Sequence, residues 1–297
     1  MNFNTEDVKG SFIDINGEKF YKIDNYDKML PFFISLSSNC DIWTYLSSSG
    51  GITAGRQNPN KALFPYYTDD KITEAYETTG SKTIVRVRKD GDVYLWEPFS
   101  DRQCGAYDVK RSIAKSTVGN KIIFTEENRS LGLSFSYCYC NAARSGFIKR
   151  STLQNISSAQ AEVEILDGLQ NLLPDGVEQI TQARLSCLVD AYKKTEMVAG
   201  LPLALFRMES ILADVAEPSE SLRCNVVWCA GMPAADYLLS STQIDKFRKG
   251  GDVVPETESK GVRGAMFVHK SFSLGAGGSK TWYFVADVAF DAVKLCK

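Results

Sequence analysis

The sequence has a single histidine, His269, among its 297 residues. Ser-His-Asp or Cys-His catalysis would have to pass through that one side chain. It lies in MFVHKSF, an alternating run, and reads as a strand histidine. Long apolar runs are missing as well. No stretch approaches the ~18 uninterrupted apolar residues of a membrane-spanning helix, so no membrane partner is expected. The first residues, MNFNTEDVKGSFIDI, have neither a basic start nor an apolar core and do not read as a secretory signal. Charge of one sign is not in excess: the net charge is −2, with Lys and Arg scattered. The absence of a basic stripe argues against nucleic acid as a partner. The glycine-rich runs form neither a Walker loop nor a dinucleotide fingerprint, and no cofactor is expected.

Eight cysteines are present, at irregular spacing. Cys138 and Cys140 stand two apart in SFSYCYCN, which on a strand puts both on one face. That geometry does not favour a disulfide between them. A zinc site would need a second close pair, and Cys224 with Cys229 is a poor one, so no metal is expected. Buried thiols in a reducing cytosol are the natural reading, and with them a cytoplasmic location.

A composition of 44% hydrophobic and 24% charged residues suits a soluble protein with a large core. Most of the chain reads as strands. FIDINGEKFYKI places two alternating runs around Asn16-Gly17, a hairpin signal. KTIVRVRKDGDVYLW repeats the device around Asp90-Gly91. Further runs are FFISLS, NKIIFTEEN, LGLSFSYCYC, FIKRSTLQNIS, AEVEILDGL, NVVWCAG, RGAMFVHKSFSL and KTWYFVADVAF, rich in β-branched and aromatic residues. Many short strands separated by turn signals indicate a sandwich or barrel. Two segments read as helical: residues 175–198, part of which also fits a strand, and SSTQIDKFRKGG, with Ser240 or Ser241 as N-cap and Gly250 as stop. Gly275–Gly278 reads as a hairpin tip. The chain reads as one domain over residues 1–297. Its end at Lys297, soon after VADVAF, fits the front part of a longer protein.

The segment with most functional character runs from Ser48 to Lys71, SSGGITAGRQNPNKALFPYYTDDK. It reads as a loop that combines turn glycines with aromatic and polar groups, as a concave ligand site requires. Arg56 offers a fork of donors, Asn58 a donor and an acceptor, and Tyr66 and Tyr67 faces for a pyranose ring. A packed loop covering a sheet edge is the alternative. In YLWEPF, Trp96 either lines a carbohydrate surface or fills the core. Asp167, in EILDGL, reads as structural: a glycosidase needs two carboxyls at a set separation, and no partner can be placed.

Taken in order, the N-terminal hairpin, SLSSNCDIWTYLSSSGGITAGRQNPNKALFPYYTDDK, KTIVRVRKDGDVYLWEPF, SGFIKRSTLQNISS and EILDGLQNLLPDG resemble one family. They are similar to the N-terminal β-supersandwich of the inverting phosphorylases of glycoside hydrolase family 94, the cellobiose and chitobiose phosphorylase type once grouped as glycosyltransferase family 36. The resemblance is best over Asn25 to Asp175. It implies a mainly β fold, a large antiparallel supersandwich of galactose mutarotase-like type with one or two short helices. It also implies an oligosaccharide or glucan as ligand, a following helical barrel that carries the general acid, and a homodimer as a further partnership. Gly50, Gly51, Arg56, Asn58 and Pro59 match the family's loop, and Trp96 with Pro98 its Trp-x-Pro strand end. The family commonly has Arg-Asp-Pro where this chain has Arg56-Gln57-Asn58-Pro59. No helical barrel follows, so this chain is not expected to catalyse phosphorolysis alone, and no catalytic residue is assigned. The resulting expectation is a sugar-binding or sugar-framing module that uses Arg56, Asn58, Tyr66, Tyr67 and Trp96. Two other classes remain: a dimerisation or interdomain packing domain, and a free-standing mutarotase-like epimerase acting through His269.

Overall fold

A computed structural model describes residues 6–89, 91–210 and 222–296. Strands β1 (Lys9–Ile15) and β2 (Glu18–Asp24) form the hairpin expected at Asn16-Gly17, where both turn residues take positive φ. β3 (Phe33–Leu36), β4 (Ile42–Ser47) and β5 (Ile52–Arg56) make a small meander, followed by helix α1 (Asp69–Glu74). β6 (Gly80–Lys89) and β7 (Asp92–Trp96) are the second hairpin; Asp90 of its turn lies outside the described residues. Four strands then run up and down: β8 (Val109–Ser116), β9 (Lys121–Asn128), β10 (Leu133–Ala142) and β11 (Gly146–Asn155). β12 (Ala161–Leu172) enters the other layer. Helix α2 (Gln179–Ala191) leads to β13 (Lys193–Met197), β14 (Leu203–Met208), β15 (Cys224–Ala230) and β16 (Asp236–Ser240). Helix α3 (Ile244–Arg248), β17 (Glu258–Lys260), β18 (Gly264–Leu274), β19 (Ser279–Phe290) and α4 (Ala292–Leu295) complete the order.

Among the described residues all strand pairings are antiparallel. An eleven-stranded sheet runs β1-β2-β8-β9-β10-β11-β19-β15-β14-β13-β17, and a five-stranded sheet runs β16-β18-β12-β6-β7. The fold is thus mainly antiparallel β, as the sequence led us to expect, with four short helices among the described residues. No helix among them is long and apolar enough to cross a membrane.

Strand alternation builds the interlayer core. Ile122, Phe124, Phe135, Tyr137, Tyr139, Phe147, Trp282 and Phe284 point inward from the large sheet. Val85, Val87, Val163, Ile165, Leu169, Met266 and Val268 meet them from the small one. The small sheet is buried on its outer side as well. There α3 seats Phe247 on Ile84, Leu166 and Phe267, and Arg86 anchors the helix end by donating to the Phe247 and Gly251 carbonyls.

In several places the structure departs from the sequence-level expectation. Ser48–Lys71 is not one loop, because Ile52–Arg56 is a strand whose first four residues are buried. Gly51 and Gly55 are required for close packing: a Cβ on Gly51 would lie 1.8 Å from the Ile72 carbonyl oxygen, and one on Gly55 2.4 Å from that of Lys61. Gly275–Gly278 is no hairpin tip, since β18 and β19 belong to different sheets and the turn carries the chain across the sandwich. The helix within 175–198 stops at Ala191 and the chain continues as β13. The N-cap of α3 is Gln243 rather than Ser240 or Ser241, and Gly250 does end that turn with φ 85°.

The two layers are joined by a buried polar network. Asp167 of β12 is fully buried. One of its oxygens accepts from Thr83 Oγ1 (2.6 Å) and Lys149 Nζ (2.7 Å), the other from Ser151 Oγ (2.9 Å) and Trp282 Nε1 (2.7 Å). Lys149 is equally buried and also donates to the Gly168 carbonyl (3.0 Å). Burial holds its ammonium below the usual lysine range, against the pull of Asp167. Asp167 is structural, as expected. Replacing it by Ala strands Lys149 uncompensated and should cost about 3–5 kcal/mol. The double replacement Asp167→Ala with Lys149→Met should cost clearly less than the sum of the two single changes in urea unfolding. Additive losses would mean that the pair is not coupled.

Candidate functional site

The five residues singled out in the sequence do not come together. Arg56 is consumed internally. Its Nε and Nη2 donate to the two oxygens of Asp287 on β19 (2.6 and 3.2 Å), Nη1 to Asp41, and Nη2 also to the Ala143 carbonyl (3.0 Å). Burial alone would lower its pKa; the carboxylates of Asp287 and Asp41 outweigh this and raise it. The fork therefore clamps the end of β5 to β19. Asn58 caps a single 3-10 turn, its Oδ1 accepting from the Asn60 amide (3.0 Å). Trp96 is only 1% exposed and donates through Nε1 to Glu126 (2.7 Å). The other Glu126 oxygen accepts from the Phe99 amide and from Arg111 Nε, both at 2.7 Å. Trp96 fills the core and offers no face to a ligand.

Tyr66 and Tyr67 do share a surface. With Phe33, Tyr45 and Lys71 they line a depression of about 530 Å³ on the three-stranded meander. Its rings are largely engaged with one another: Phe33 stacks on Tyr45 (5.6 Å), Tyr45 on Trp43 (6.0 Å), and Trp43 meets Tyr66 edge-on (5.4 Å). Tyr67 stands outside this ladder, with Lys71 Nζ 5.6 Å from its ring centroid.

A second concavity, of about 560 Å³, lies on the face of the eleven-stranded sheet turned away from the five-stranded one. Its floor follows from register. Lys121, Cys140, Ile148, Val285 and Trp228 form one cross-strand row over β9, β10, β11, β19 and β15. Ile123, Cys138, Arg150 and Tyr283 form the next. The β1–β2 hairpin supplies the far wall with Ile15, Asn16, Glu18 and Phe20. It is tied down where both Glu18 oxygens accept from Lys121 Nζ (2.6 and 2.7 Å).

Three features mark this groove. Trp228 and Tyr283 carry rings that, among the described residues, stack on no other ring, and Tyr283 is 38% exposed. The Arg150 guanidinium makes no hydrogen bond or ion pair among the described residues. Cys140 sits beside Cys138, Lys121 and Arg150. The neighbouring Cys138 thiol, helped by the two cations and opposed by burial and by the Glu18 carboxylate, brings Cys140 down to about 7. The same contact, with burial, pushes Cys138 up. Sequence reasoning placed both thiols on one face but missed Trp228, Tyr283 and Arg150. One usable signal was Lys149-Arg150: adjacent charges on a central strand must point to opposite faces, so one of them enters the core and the other does not.

His269 is on the other layer. Its Nε2 lies 2.9 Å from Glu164 and its ring stands edge-on to Phe247 at 5.7 Å. The groove and the single histidine are thus on opposite sides of the core. Among the described residues no cluster of three or more His, Cys, Asp and Glu side chains could hold a metal ion.

No protein-family model matches the sequence, and no curated protein matches it. Among solved structures the chain is similar to a bacterial glucoamylase complexed with acarbose, with 8% identity and a TM-score of 0.48 over 97% of this chain and 36% of that one. It is similar to a polysaccharide lyase, with 12% identity and a TM-score of 0.47 over 86% and 33% of the two chains. A putative aldose 1-epimerase from Escherichia coli K12 gives 11% identity and a TM-score of 0.43 over 87% and 99%. The chain spans about a third of the length of the lyase and of the glucoamylase.

The placement of Trp96 has a measurable consequence. Trp96→Phe removes one donor from the buried Glu126 carboxylate and should lower stability by about 1–3 kcal/mol. Any ligand bound at the surface should keep its affinity, because the ring is only 1% exposed. Thermal unfolding together with a binding titration separates the two effects, and a loss of affinity without loss of stability would contradict the core assignment.

Proposed function

We propose that this chain is a carbohydrate-binding module that holds a saccharide in the groove on the open face of the eleven-stranded sheet. The observation that carries this reading is the pair of rings, Trp228 and Tyr283, unstacked among the described residues, beside an Arg150 guanidinium that pairs with none of them. Aromatic faces cover the C–H faces of a pyranose, and convergent donors take its hydroxyls. The role is binding or framing rather than hydrolysis. Glu18 is the one carboxylate among the groove's lining residues, and it is held by Lys121. Glycoside hydrolysis ordinarily needs two carboxyls across the bond. An epimerase built on His269 is disfavoured because that residue lies across the core.

The family resemblance supports a finer form of the proposal. In it the chain is the supersandwich module of a longer glycoside phosphorylase-type enzyme, with the general acid on a helical barrel and an oligosaccharide or glucan as ligand. A second reading, packing against a neighbouring domain or a second copy, is favoured by a different surface. Helix α2 exposes Ile180, Leu185 and Leu188, and it adjoins the aromatic depression through Gln179 and Ala183.

Titration of the full chain with neutral gluco-oligosaccharides, followed by calorimetry or NMR, tests the first reading. Trp228→Ala and Tyr283→Ala should each weaken binding about tenfold, whereas Tyr67→Ala should leave it unchanged. Retention of full affinity in both groove variants would move the ligand elsewhere. Concentration-dependent self-association without heat on sugar addition would favour the packing reading.

A further inference from the structure

The thiol pair in the groove is not used by saccharide recognition, and its setting is unusual. Cys140 is half-buried on the floor, directly across the β9–β10 ladder from Lys121. Cys138, buried beside it, faces Arg150 across the β10–β11 ladder. Two cations therefore flank a pair of thiols inside a concavity large enough for a small molecule. The exposed thiols Cys104, Cys187 and Cys296 do not line this groove.

We propose that Cys140 is a modification site that takes up a carboxylate-bearing, low-molecular-weight disulfide and holds half of it in the groove as a mixed disulfide. In the reaction the Cys140 thiolate attacks one sulfur of the reagent. A new S–S bond forms, the reagent's own S–S bond breaks, and the second half leaves as a thiolate that takes a proton from water. Cys140 is oxidised and the departing half reduced, so the disulfide itself supplies the oxidising equivalent.

Three physical arguments support this assignment. Arg150 favours the thiolate and attracts the carboxylates of the incoming reagent, while Lys121 favours the thiolate with its charge partly offset by Glu18, which accepts from it and opposes the thiolate. A thiol poised near neutrality is close to the optimum for exchange, because a lower pKa gains thiolate but loses nucleophilicity. The third concerns the fate of the adduct. Residues two apart on a strand have Cα atoms about 6.6 Å apart, at the far end of the range a disulfide spans. Closure onto Cys138 would need the strand to buckle in the middle of the sheet, so the mixed disulfide is the end state. The retained half fills the space between Trp228 and the β1–β2 hairpin and so closes the groove to any other ligand. The assignment does not depend on that other ligand being a saccharide.

The test uses the full chain with two probes at pH 7, glutathione disulfide and the neutral hydroxyethyl disulfide, read by intact mass and peptide mapping. One glutathionyl group is expected on Cys140, with a rate that rises as pH passes through about 7. Glutathione disulfide should react about three- to tenfold faster than the neutral reagent, and Arg150→Gln should bring that ratio towards unity without removing the thiol. Cys140→Ser should abolish the adduct while circular dichroism shows a folded chain. Adducts spread evenly over Cys104, Cys187 and Cys296 would overturn the proposal. So would an internal Cys138–Cys140 disulfide formed in place of the adduct, or a rate ratio indifferent to Arg150.

Discussion

The structure depends on a charge placed where charge is most costly. Asp167 stands in the middle of the interlayer core, and an unpaired carboxylate there would cost several kcal/mol. Four donors from three strands offset that cost: Thr83 from its own sheet, and Lys149, Ser151 and Trp282 from the opposite one. Hydrophobic packing tolerates sliding of one sheet over another better than a network of this kind does. The network therefore sets how the five-stranded and eleven-stranded layers lie over each other.

That constraint reaches the groove through strand alternation. Lys149 points into the core, so Arg150 must point out of it; Trp282 points in, so Tyr283 points out. The register of β11 with β19 then puts Arg150 and Tyr283 opposite each other. Tyr139 is inward and fixes Cys138 and Cys140 outward by the same rule. The groove's chemical groups are the immediate sequence neighbours of the groups that lock the core. The two sheets differ in what covers them. Helix α3 and the Phe247 cluster close the outer face of the small sheet, with His269 among its contacts, while the groove stays open on the outer face of the large one.

Much of the fold was legible because alternation and turn chemistry are local. Asn16-Gly17, the paired runs of β6 and β7, and the long strands β9 to β12 all carry their signal within about ten residues. The glycine-rich segment misled for a physical reason. Gly51 and Gly55 look like turn residues, yet they are small because backbone atoms of Ile72 and Lys61 pack against them. Arg56 looks like a free donor fork, yet its partner Asp287 is 231 residues away in sequence. Trp96 and Trp228 are equivalent by local pattern. Only the pairing of β7 with β6, and of β15 with β19, decides that one ring enters the core and the other looks out. Contacts made across sheets leave no mark in a single sequence, and the candidate site is made almost wholly of such contacts.

The concavity also has a simple steric origin. Along β10 the outward residues are Ser134, Ser136, Cys138 and Cys140, all short, while the flanks carry Phe20, Trp228 and Tyr283. A groove forms because its central strand is lined with small side chains and its walls are not. The thiols thus have two consequences at once. They are small enough to leave space for a ligand, and one of them, Cys140, is the thiol whose setting favours the thiolate at the bottom of that space. Any adduct on Cys140 converts the floor into an obstruction, since the volume it adds is the volume a ligand would occupy. Shape and reactivity are coupled in this groove because both arise from the same two residues on one face of one strand.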